Sequence, residues 1–254
     1  MDYRTDDFNQ ANGMRYVRFL SNILDRHIFD WYLEVGCRTG RIFQRSRGKT
    51  IAVDPYFQVE RNVIGVKPGL HIFQETSDDF YASNFLKAMK VKLSFSFLDG
   101  MHLFEFLLRD FIETEKHSTA DSVIALHDCC PFSHEMTTRD LENLPDGNWT
   151  GDVWKLIPIL KKYRPELNVR VLDCAPTGLV LVSGLKPKSR VLKESYDEIV
   201  AEFESIDLKT FGVDSFNGLF EYESAKDLLA ESHVLFDKVS QGPDAVLTPT
   251  KITP

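Results

Sequence analysis

Residues 31–40, WYLEVGCRTG, decide how the chain folds. A short, mostly apolar run ends at Gly36, which is the length and punctuation of a buried strand. The run KTIAVDP at 49–55 repeats this plan and ends in an Asp-Pro pair, and RTGRIFQRSR at 38–47 predicts a short crossover helix between the two. The pattern therefore indicates a strand, a crossover and a second strand.

Three further apolar runs continue the alternation. They are HIFQE at 71–75, KLSFSFLD at 92–99 and SVIALHD at 122–128, and helical patterns at about 78–90 and 103–116 separate them. Parallel strands need crossover connections, and these are usually right-handed helices. Five strands alternating with helices thus predict a doubly wound, Rossmann-like α/β sheet.

The sheet is expected to end in an antiparallel hairpin. A helical pattern at 152–163 precedes NVRVLDCAPTGLVLVSG at 168–184. The latter predicts two strands joined through APTG, a connection short enough for a hairpin. Together with the five earlier runs, this gives a sheet of seven strands that is mostly parallel.

The length of 254 residues predicts one sizeable core with extensions at both ends. Hydrophobic residues make up 43% and charged residues 27%, which is typical of a globular protein and leaves no reason to expect a disordered chain. Helical patterns lie at 11–28 and, more loosely, near 189–206 and 223–239. We divide the chain into an N-terminal helical extension (1–29), a core (30–184) and a C-terminal helical extension with a flexible tail (185–254).

Composition also argues against several classes of function. The net charge of -8 and the lack of a basic stripe argue against a nucleic-acid partner. No apolar run approaches the ~20 residues that a membrane span needs, and the polar start MDYRTDDFNQ does not resemble a signal peptide. The four cysteines form no CxxC pair, which predicts reduced thiols and argues against zinc. A cytoplasmic location is expected.

The ends of the first two strands indicate a site for a nucleotide-like cofactor. Gly36 and Gly40 allow the backbone to turn sharply and approach a ligand, beside N–H groups at a helix start. Asp54 ends the second strand, where a carboxylate can accept hydrogen bonds from both hydroxyls of a ribose. A dinucleotide fingerprint would carry a glycine where Arg38 stands. These features predict an adenosine-type site.

Two carboxylates are expected to meet further along the same edge. Asp99 ends the fourth strand and Asp128 the fifth, and neighbouring strands lie about 4.8 Å apart. Carboxylates this close repel each other unless a proton or a cation lies between them, and a hard divalent metal is the natural cation. His102, three residues after Asp99, can accept a proton from a substrate hydroxyl whose pKa the metal lowers.

Several of these segments resemble a known family. The pattern E-x-G-x-x-x-G at 34–40, followed by a strand that ends in Asp54, resembles the first motif and the ribose-binding position of class I S-adenosylmethionine-dependent methyltransferases, whose sheet has seven strands. Four more segments resemble successive motifs of the methyltransferase-24 group, which includes metal-dependent sugar O-methyltransferases. The resemblance covers roughly residues 30–184 in the correct order. The four segments are TSDDF (76–80), FLDGMHLFEFLLRDF (97–111), LHDCCP (126–131) and GDVWK (151–155).

The resemblance implies an O-methyltransferase that acts on a hydroxyl of a sugar or another small molecule. It implies that Asp99 and Asp128 bind Mg²⁺ or a similar ion and that His102 is the base. It also implies a set of residues that contact S-adenosylmethionine: Glu34, Gly36, Gly40, Asp54, Ser77 and Asp99. The loop 129–151 and the C-terminal helices are expected to shape the acceptor pocket or a contact between subunits of a homo-oligomer.

The chain departs from the family pattern at two places. His127 stands where some relatives carry a second acidic residue, which puts the full set of metal ligands in question. We expect His127 and His134 to lie near the site or at the surface rather than to bind the metal, and Trp154 and Lys155 to pack the following helix. Ala120 and Asp121 replace paired glycines before the fifth strand, which affects a turn rather than chemistry.

Two other functions stay open from the sequence. An NAD(P)-dependent oxidoreductase shares the glycine loop and Asp54, although Arg38 and the absence of a Tyr-x-x-x-Lys pair near the cleft count against it. A catalytically silent nucleotide-binding or assembly module is the second alternative, because a Rossmann-like fold does not by itself confer activity.

Overall fold

A computed structural model describes residues 8–243 of the protein. The strands are β1 (Trp31–Val35), β2 (Lys49–Val53), β3 (Leu70–Phe73), β4 (Leu93–Leu98), β5 (Ser118–His127), β6 (Asn168–Leu172) and β7 (Leu179–Ser183). They form one sheet in the order β3-β2-β1-β4-β5-β7-β6. β1 to β5 are parallel, whereas β7 is antiparallel to both β5 and β6. The predicted Rossmann-like α/β sheet and its antiparallel hairpin are confirmed.

The helices connect and flank these strands. They are α1 (Tyr16–Arg26), α2 (Ser77–Ala82), α3 (Phe85–Ala88), α4 (Phe104–Lys116), α5 (Leu156–Tyr163), α6 (Val191–Glu194), α7 (Tyr196–Phe203), α8 (Leu208–Phe211), α9 (Val213–Asn217), α10 (Ala225–Ala230) and α11 (Ser232–Phe236). The pattern predicted as one helix at 78–90 is two, because Asn84 has a φ of 58° and the left-handed conformation interrupts the helix.

The prediction of a crossover helix at 38–47 is wrong. Only Phe43–Arg45 is helical there, as a single 3-10 turn. Arg38 and Gly40 have φ values of 34° and 71°, so the backbone turns in the left-handed region where a helix was expected to begin. The stretch between the two loose C-terminal patterns, for which no helix is predicted, contains α8 and α9.

Two apolar layers cover the sheet. Alternate residues of β1 face opposite layers, with Leu33 and Val35 in one and Tyr32 in the other. The first layer includes buried residues of α4, α5 and α7, and the second includes those of α1 and α10. Helices from both ends of the chain thus pack on the sheet, and the division into a core with two extensions stays a prediction.

Among the helices of residues 8–243, none combines the length and the apolar character needed to cross a membrane. The cytoplasmic location therefore stays a prediction. The flexible tail predicted for the end of the chain lies, from residue 244 on, outside the described residues, as do residues 1–7.

Candidate functional site

The loops after β1 and β4 touch each other at the carboxyl edge of the sheet. Val35 pairs with Leu98, and the backbone N–H of Asp99 continues the ladder by donating to the Val35 carbonyl oxygen at 2.9 Å. Gly36 has a φ of 84°, and a Cβ atom there would lie 1.8 Å from the Asp99 carbonyl oxygen. Only glycine permits this approach, which brings the predicted cofactor loop against the first predicted metal ligand.

Asp128 reaches the same place from β5. Leu98 pairs with Leu126, and Asp128 follows two residues later with a φ of 58° that turns its side chain back toward β4. The Thr177 hydroxyl, on the β6–β7 connection, donates to Asp128 Oδ1 at 2.6 Å. Asp99, Asp128 and His102 each present one ligand atom, and the three atoms lie within 4.8 Å of one another. The structure therefore brings the three predicted residues together.

His102 is held in a defined orientation by the loop 149–152. Its Nδ1 lies 2.8 Å from the Trp149 carbonyl oxygen. Since a carbonyl can only accept, Nδ1 carries the hydrogen and Nε2 faces Asp128 Oδ2 at 3.3 Å and Asp99 Oδ1 at 3.6 Å. Gly151, with a φ of 52°, packs against the backbone of His102. A Cβ at this position would lie 1.6 Å from the His102 carbonyl oxygen.

Asp152 anchors this loop to α4. Its backbone N–H donates to the His102 carbonyl oxygen at 3.2 Å, and its Oδ1 accepts from the Phe104 N–H at 2.9 Å. Its Oδ2 binds Arg139 at 2.6 Å and Lys155 at 2.7 Å. Lys155 is buried and forms this ion pair, which adds a charge contact to the packing role predicted for it. Asp152 thus fixes the backbone on both sides of the turn that carries His102.

His127 lies between the two carboxylates, which the sequence did not predict. Its Nδ1 is 3.0 Å from Asp99 Oδ1 and 3.3 Å from Asp128 Oδ1, and its side chain is only 6% exposed. His134, the other histidine considered, lies elsewhere and packs its ring edge-on against Phe8 at a centroid distance of 5.3 Å. His127 is the last residue of β5, and its side chain occupies the place where a cation would balance the carboxylates.

The carboxylates and imidazoles shift each other's protonation. Burial disfavours the charged forms, but the imidazoles of His127 and His102 hold the pKa of Asp99 at about 2. Despite the same penalty, Asp128 and Asp99 raise the pKa of His127 to about 10. Burial lowers and the two carboxylates raise the pKa of His102, with a net increase. The two negative charges are thus balanced by protons on the imidazoles.

The donor set fits a divalent cation. Carboxylate oxygens are ligands that Mg²⁺, Mn²⁺ and related ions accept, and the 4.8 Å spread of the three atoms allows an ion on Asp99 and Asp128 to lie beside His102. An ion bound there would compete with the proton of His127, because both place positive charge between the same carboxylates.

The predicted cofactor residues gather after β1 and β2. Asp54 Oδ2 accepts from the Arg38 N–H and Oδ1 from the Tyr56 N–H, both at 2.7 Å. Glu34 is buried in β1 and accepts the Tyr32 hydroxyl at 2.6 Å. Burial raises the pKa of Glu34 to about 8. Gly40, with a φ of 71°, ends the loop after β1 and packs closely against Val63. A Cβ at Gly40 would lie 2.7 Å from the Val63 side chain.

Ser77, the first residue of α2, interacts with a buried carboxyl that sequence reasoning missed. This group is Asp110, on α4, whose oxygens make no geometrically well-formed hydrogen bond within residues 8–243. Burial raises its pKa to about 7, and the Ser77 side chain opposes this shift. A Cβ at Gly100 would lie 3.5 Å from Asp110 Oδ2, so the carboxyl lies beneath the loop after β4.

Tyr16 is the second residue that sequence reasoning missed. It belongs to α1, and its ring lies against the His127 ring with centroids 3.8 Å apart and planes at 34°. In the sequence Tyr16 is one more apolar position of an amphipathic helix. Its place at the site follows only from how α1 docks on the sheet.

No protein-family model and no curated protein matches the sequence. Solved structures do match. An O-methyltransferase from Bacillus cereus, solved with S-adenosylhomocysteine, is 14% identical and has a TM-score of 0.47, with 67% of this chain and 80% of that chain covered. The O-methyltransferase TomG from Streptomyces achromogenes is 13% identical, with a TM-score of 0.44 and coverages of 66% and 78%.

A third match is MycE, a methyltransferase of mycinamycin biosynthesis solved with Mg, S-adenosylhomocysteine and mycinamycin VI. It is 11% identical and has a TM-score of 0.44. The match covers 68% of this chain and 49% of MycE, so this chain spans about half of that protein.

Proposed function

We propose that this protein transfers a methyl group from S-adenosylmethionine to a hydroxyl of a small molecule, such as a sugar. The observation that carries the proposal is the meeting of Asp99, Asp128 and His102 within 4.8 Å, directly against the glycine loop after β1. Ligands of doubly wound sheets bind at this carboxyl edge. A methyl donor on the glycine loop would lie beside a hydroxyl held by the carboxylates.

In the proposed reaction His102 Nε2 accepts the proton of the acceptor hydroxyl. The oxygen then forms a bond to the methyl carbon as the carbon–sulfur bond breaks, and neutral S-adenosylhomocysteine leaves. The hydrogen bond from His102 Nδ1 to Trp149 supports this role, because it keeps the Nε2 lone pair directed at the carboxylates when the ring is neutral.

Asp99 and Asp128 would hold the divalent cation. When bound, it would supply positive charge that lowers the pKa of the acceptor hydroxyl and of His102. In the absence of a cation Asp99 and Asp128 raise the pKa of His102 against the cost of burial, and the positive charge of an ion would oppose that rise. This supports metal dependence, whereas the position of His127 supports competition between the metal and a proton.

A cavity lies against the loop that positions His102, although Asp99, His102 and Asp128 do not line it. It has a volume of about 400 Å³ and is lined by residues 134, 135 and 137–139 of the loop 129–151 and by residues 204–209 of the C-terminal region. Asp152, whose backbone binds His102, also lines it. The arrangement supports the prediction that this loop and the C-terminal helices shape the acceptor pocket.

Calorimetry with S-adenosylmethionine, S-adenosylhomocysteine and NADH, each with Mn²⁺ or with EDTA, tests the cofactor. We expect binding of the first two and not of NADH. Methyl transfer from labelled S-adenosylmethionine to a panel of sugars and other hydroxylated compounds then tests the reaction, and EDTA should suppress it. Binding of NADH alone would instead support the oxidoreductase, and binding of S-adenosylmethionine with no transfer to any acceptor would support the silent module.

A further inference from the structure

The position of Tyr16 at the site is fixed by the fold. The Tyr16 N–H donates to the Ala175 carbonyl oxygen at 3.1 Å, which ties the start of α1 to the β6–β7 connection. The following residues of the helix, including Phe19 and Leu20, are fully buried against the sheet. Its ring covers the His127 ring at 3.8 Å and lies 6.2 Å from the Phe97 ring. The side chain is therefore held over the carboxyl edge.

Charges from both groups of predicted site residues act on Tyr16. Burial raises the pKa of Tyr16, and the charges of Asp99 and Asp128 raise it further, whereas Arg41 of the cofactor loop opposes the shift. It stays a neutral phenol at every physiological pH. Within residues 8–243 its hydroxyl makes no hydrogen bond, and the residue is only half-buried. The ring lies against His127, and the exposed part of the side chain is accessible to a ligand.

The chemistry of this position favours a cation. The π face of an aromatic ring attracts positive charge within about 6 Å. S-adenosylmethionine carries its positive charge on the sulfonium, at the methyl group that is transferred, whereas S-adenosylhomocysteine has a neutral sulfide there. We propose that Tyr16 contacts the sulfonium of bound S-adenosylmethionine and so favours the donor over the demethylated product.

This inference rests on the proposed function and adds a residue from outside the predicted core. A ring that only supports His127 would affect both ligands alike, because neither the adenosine nor the amino-acid end differs between them. A contact with the sulfonium affects only the charged ligand. The ratio of the two dissociation constants therefore separates the two roles without an acceptor.

The test measures both dissociation constants by calorimetry on the full chain, for the wild type and for Tyr16→Leu and Tyr16→Phe. Tyr16→Leu is expected to weaken S-adenosylmethionine about 3- to 10-fold more than S-adenosylhomocysteine, whereas Tyr16→Phe should leave the ratio nearly unchanged. Tyr163→Leu, which alters a half-buried tyrosine on α5 that binds Glu202, is the matched control and should change neither constant.

Trifluorophenylalanine at position 16 covers the case in which Tyr16→Leu does not fold. It keeps the size of the ring but withdraws electron density from its face, so it should weaken S-adenosylmethionine alone. The inference is overturned if the ratio of the two dissociation constants is unchanged in Tyr16→Leu and in the trifluorophenylalanine variant, whether both ligands weaken equally or neither weakens. The proposed function stands in that case. A wild type that binds neither ligand overturns the proposed function and this inference with it.

Discussion

The two halves of the carboxyl edge use their carboxylates in different ways. After β1 and β2, which we call the donor half, Asp54 accepts from two backbone N–H groups and Glu34 from the Tyr32 hydroxyl. After β4 and β5, which we call the acceptor half, Asp99 and Asp128 face the imidazoles of His102 and His127. Hydrogen bonds from the backbone and from the Tyr32 hydroxyl thus satisfy the carboxyl groups of one half, and protons on imidazoles balance those of the other.

This difference indicates how each half responds to a ligand. A carboxylate that accepts from backbone N–H groups fixes the shape of its loop, so the donor half is formed without a ligand. Protons on imidazoles can leave when a cation arrives, so occupation of the acceptor half depends on pH. A change in one half should therefore leave the binding properties of the other nearly intact.

The largest effect is expected in the acceptor half. Asp128→Asn removes a negative charge and a metal ligand, and we expect methyl transfer to fall about 100-fold or more. Affinity for S-adenosylmethionine, measured by calorimetry, should change less than about 3-fold, since Asp128 lies outside the donor half. Asp121→Asn, at an exposed position of the same strand, is the control. Retention of most of the activity by Asp128→Asn would mean that Asp128 does not hold the reacting groups.

A second change tests the competition between metal and proton. His127→Glu removes the imidazolium, whose pKa is raised to about 10 by Asp128 and Asp99 against the cost of burial, and adds a carboxyl group. Mn²⁺ affinity at pH 7, followed by electron paramagnetic resonance, should rise at least about 10-fold because a carboxyl gives up its proton more readily than this imidazolium and is itself a ligand for the ion.

The pH dependence sharpens this test. In the wild type Mn²⁺ affinity should increase as pH rises toward 10, since the imidazolium of His127 loses its proton, and the increase should be smaller in His127→Glu. The control is His117→Glu, the same substitution at the residue that precedes the first residue of β5, far from the carboxyl edge. Equal Mn²⁺ affinity in His127→Glu and the wild type would show that His127 does not compete with the ion.

The sequence predicted the strands and the edge where the site lies, because apolar runs and their endings are local features. Asp99 and Asp128 could be placed together because parallel strands end at one edge. The error at 38–47 has a local cause as well, since the left-handed conformation of Arg38 is not evident from a residue that tolerates helices.

The contacts of Tyr16, His127 and Asp110 could not be predicted, because each depends on tertiary packing. Tyr16 lies 111 positions before His127 in the numbering, and only the docking of α1 brings the two rings together. His127 could have pointed to either side of the sheet edge. Asp110 lies on α4 between buried apolar residues, where a carboxylate is unusual and a helical pattern gives no sign of burial.

A smaller effect is expected in the donor half. Asp54→Ala removes the acceptor of the N–H groups of Arg38 and Tyr56, at a cost of about 0.5–1.5 kcal/mol for each hydrogen bond. We expect the affinity for S-adenosylmethionine to fall about 10-fold, with Mn²⁺ affinity unchanged. Asp78→Ala, at a partly exposed carboxylate outside the loop, is the control. A parallel loss of Mn²⁺ binding would contradict the independence of the two halves.

The smallest effect concerns Asp110, between the two halves. Burial raises its pKa to about 7, above the 3.8 of an unfolded chain, so the folded state holds this proton more tightly. Its contribution to stability is full below about pH 4, decreases as pH rises toward 7 and is constant above that. Asp110→Asn removes the cost of ionisation, which is at most about 4 kcal/mol at 1.36 kcal/mol per pKa unit.

The variant should therefore be more stable than the wild type at pH 8 and nearly equal to it at pH 4, as judged by thermal melts at both values. Asp121→Asn, whose side chain is exposed, should show no such difference. Asn has nearly the same size as Asp and leaves the residues of the donor half in place, so S-adenosylmethionine should bind the variant with unchanged affinity. A loss of stability in Asp110→Asn at pH 8 would mean that Asp110 is ionised and paired in the folded protein. The charge of Asp110 would then hold the loop after β4.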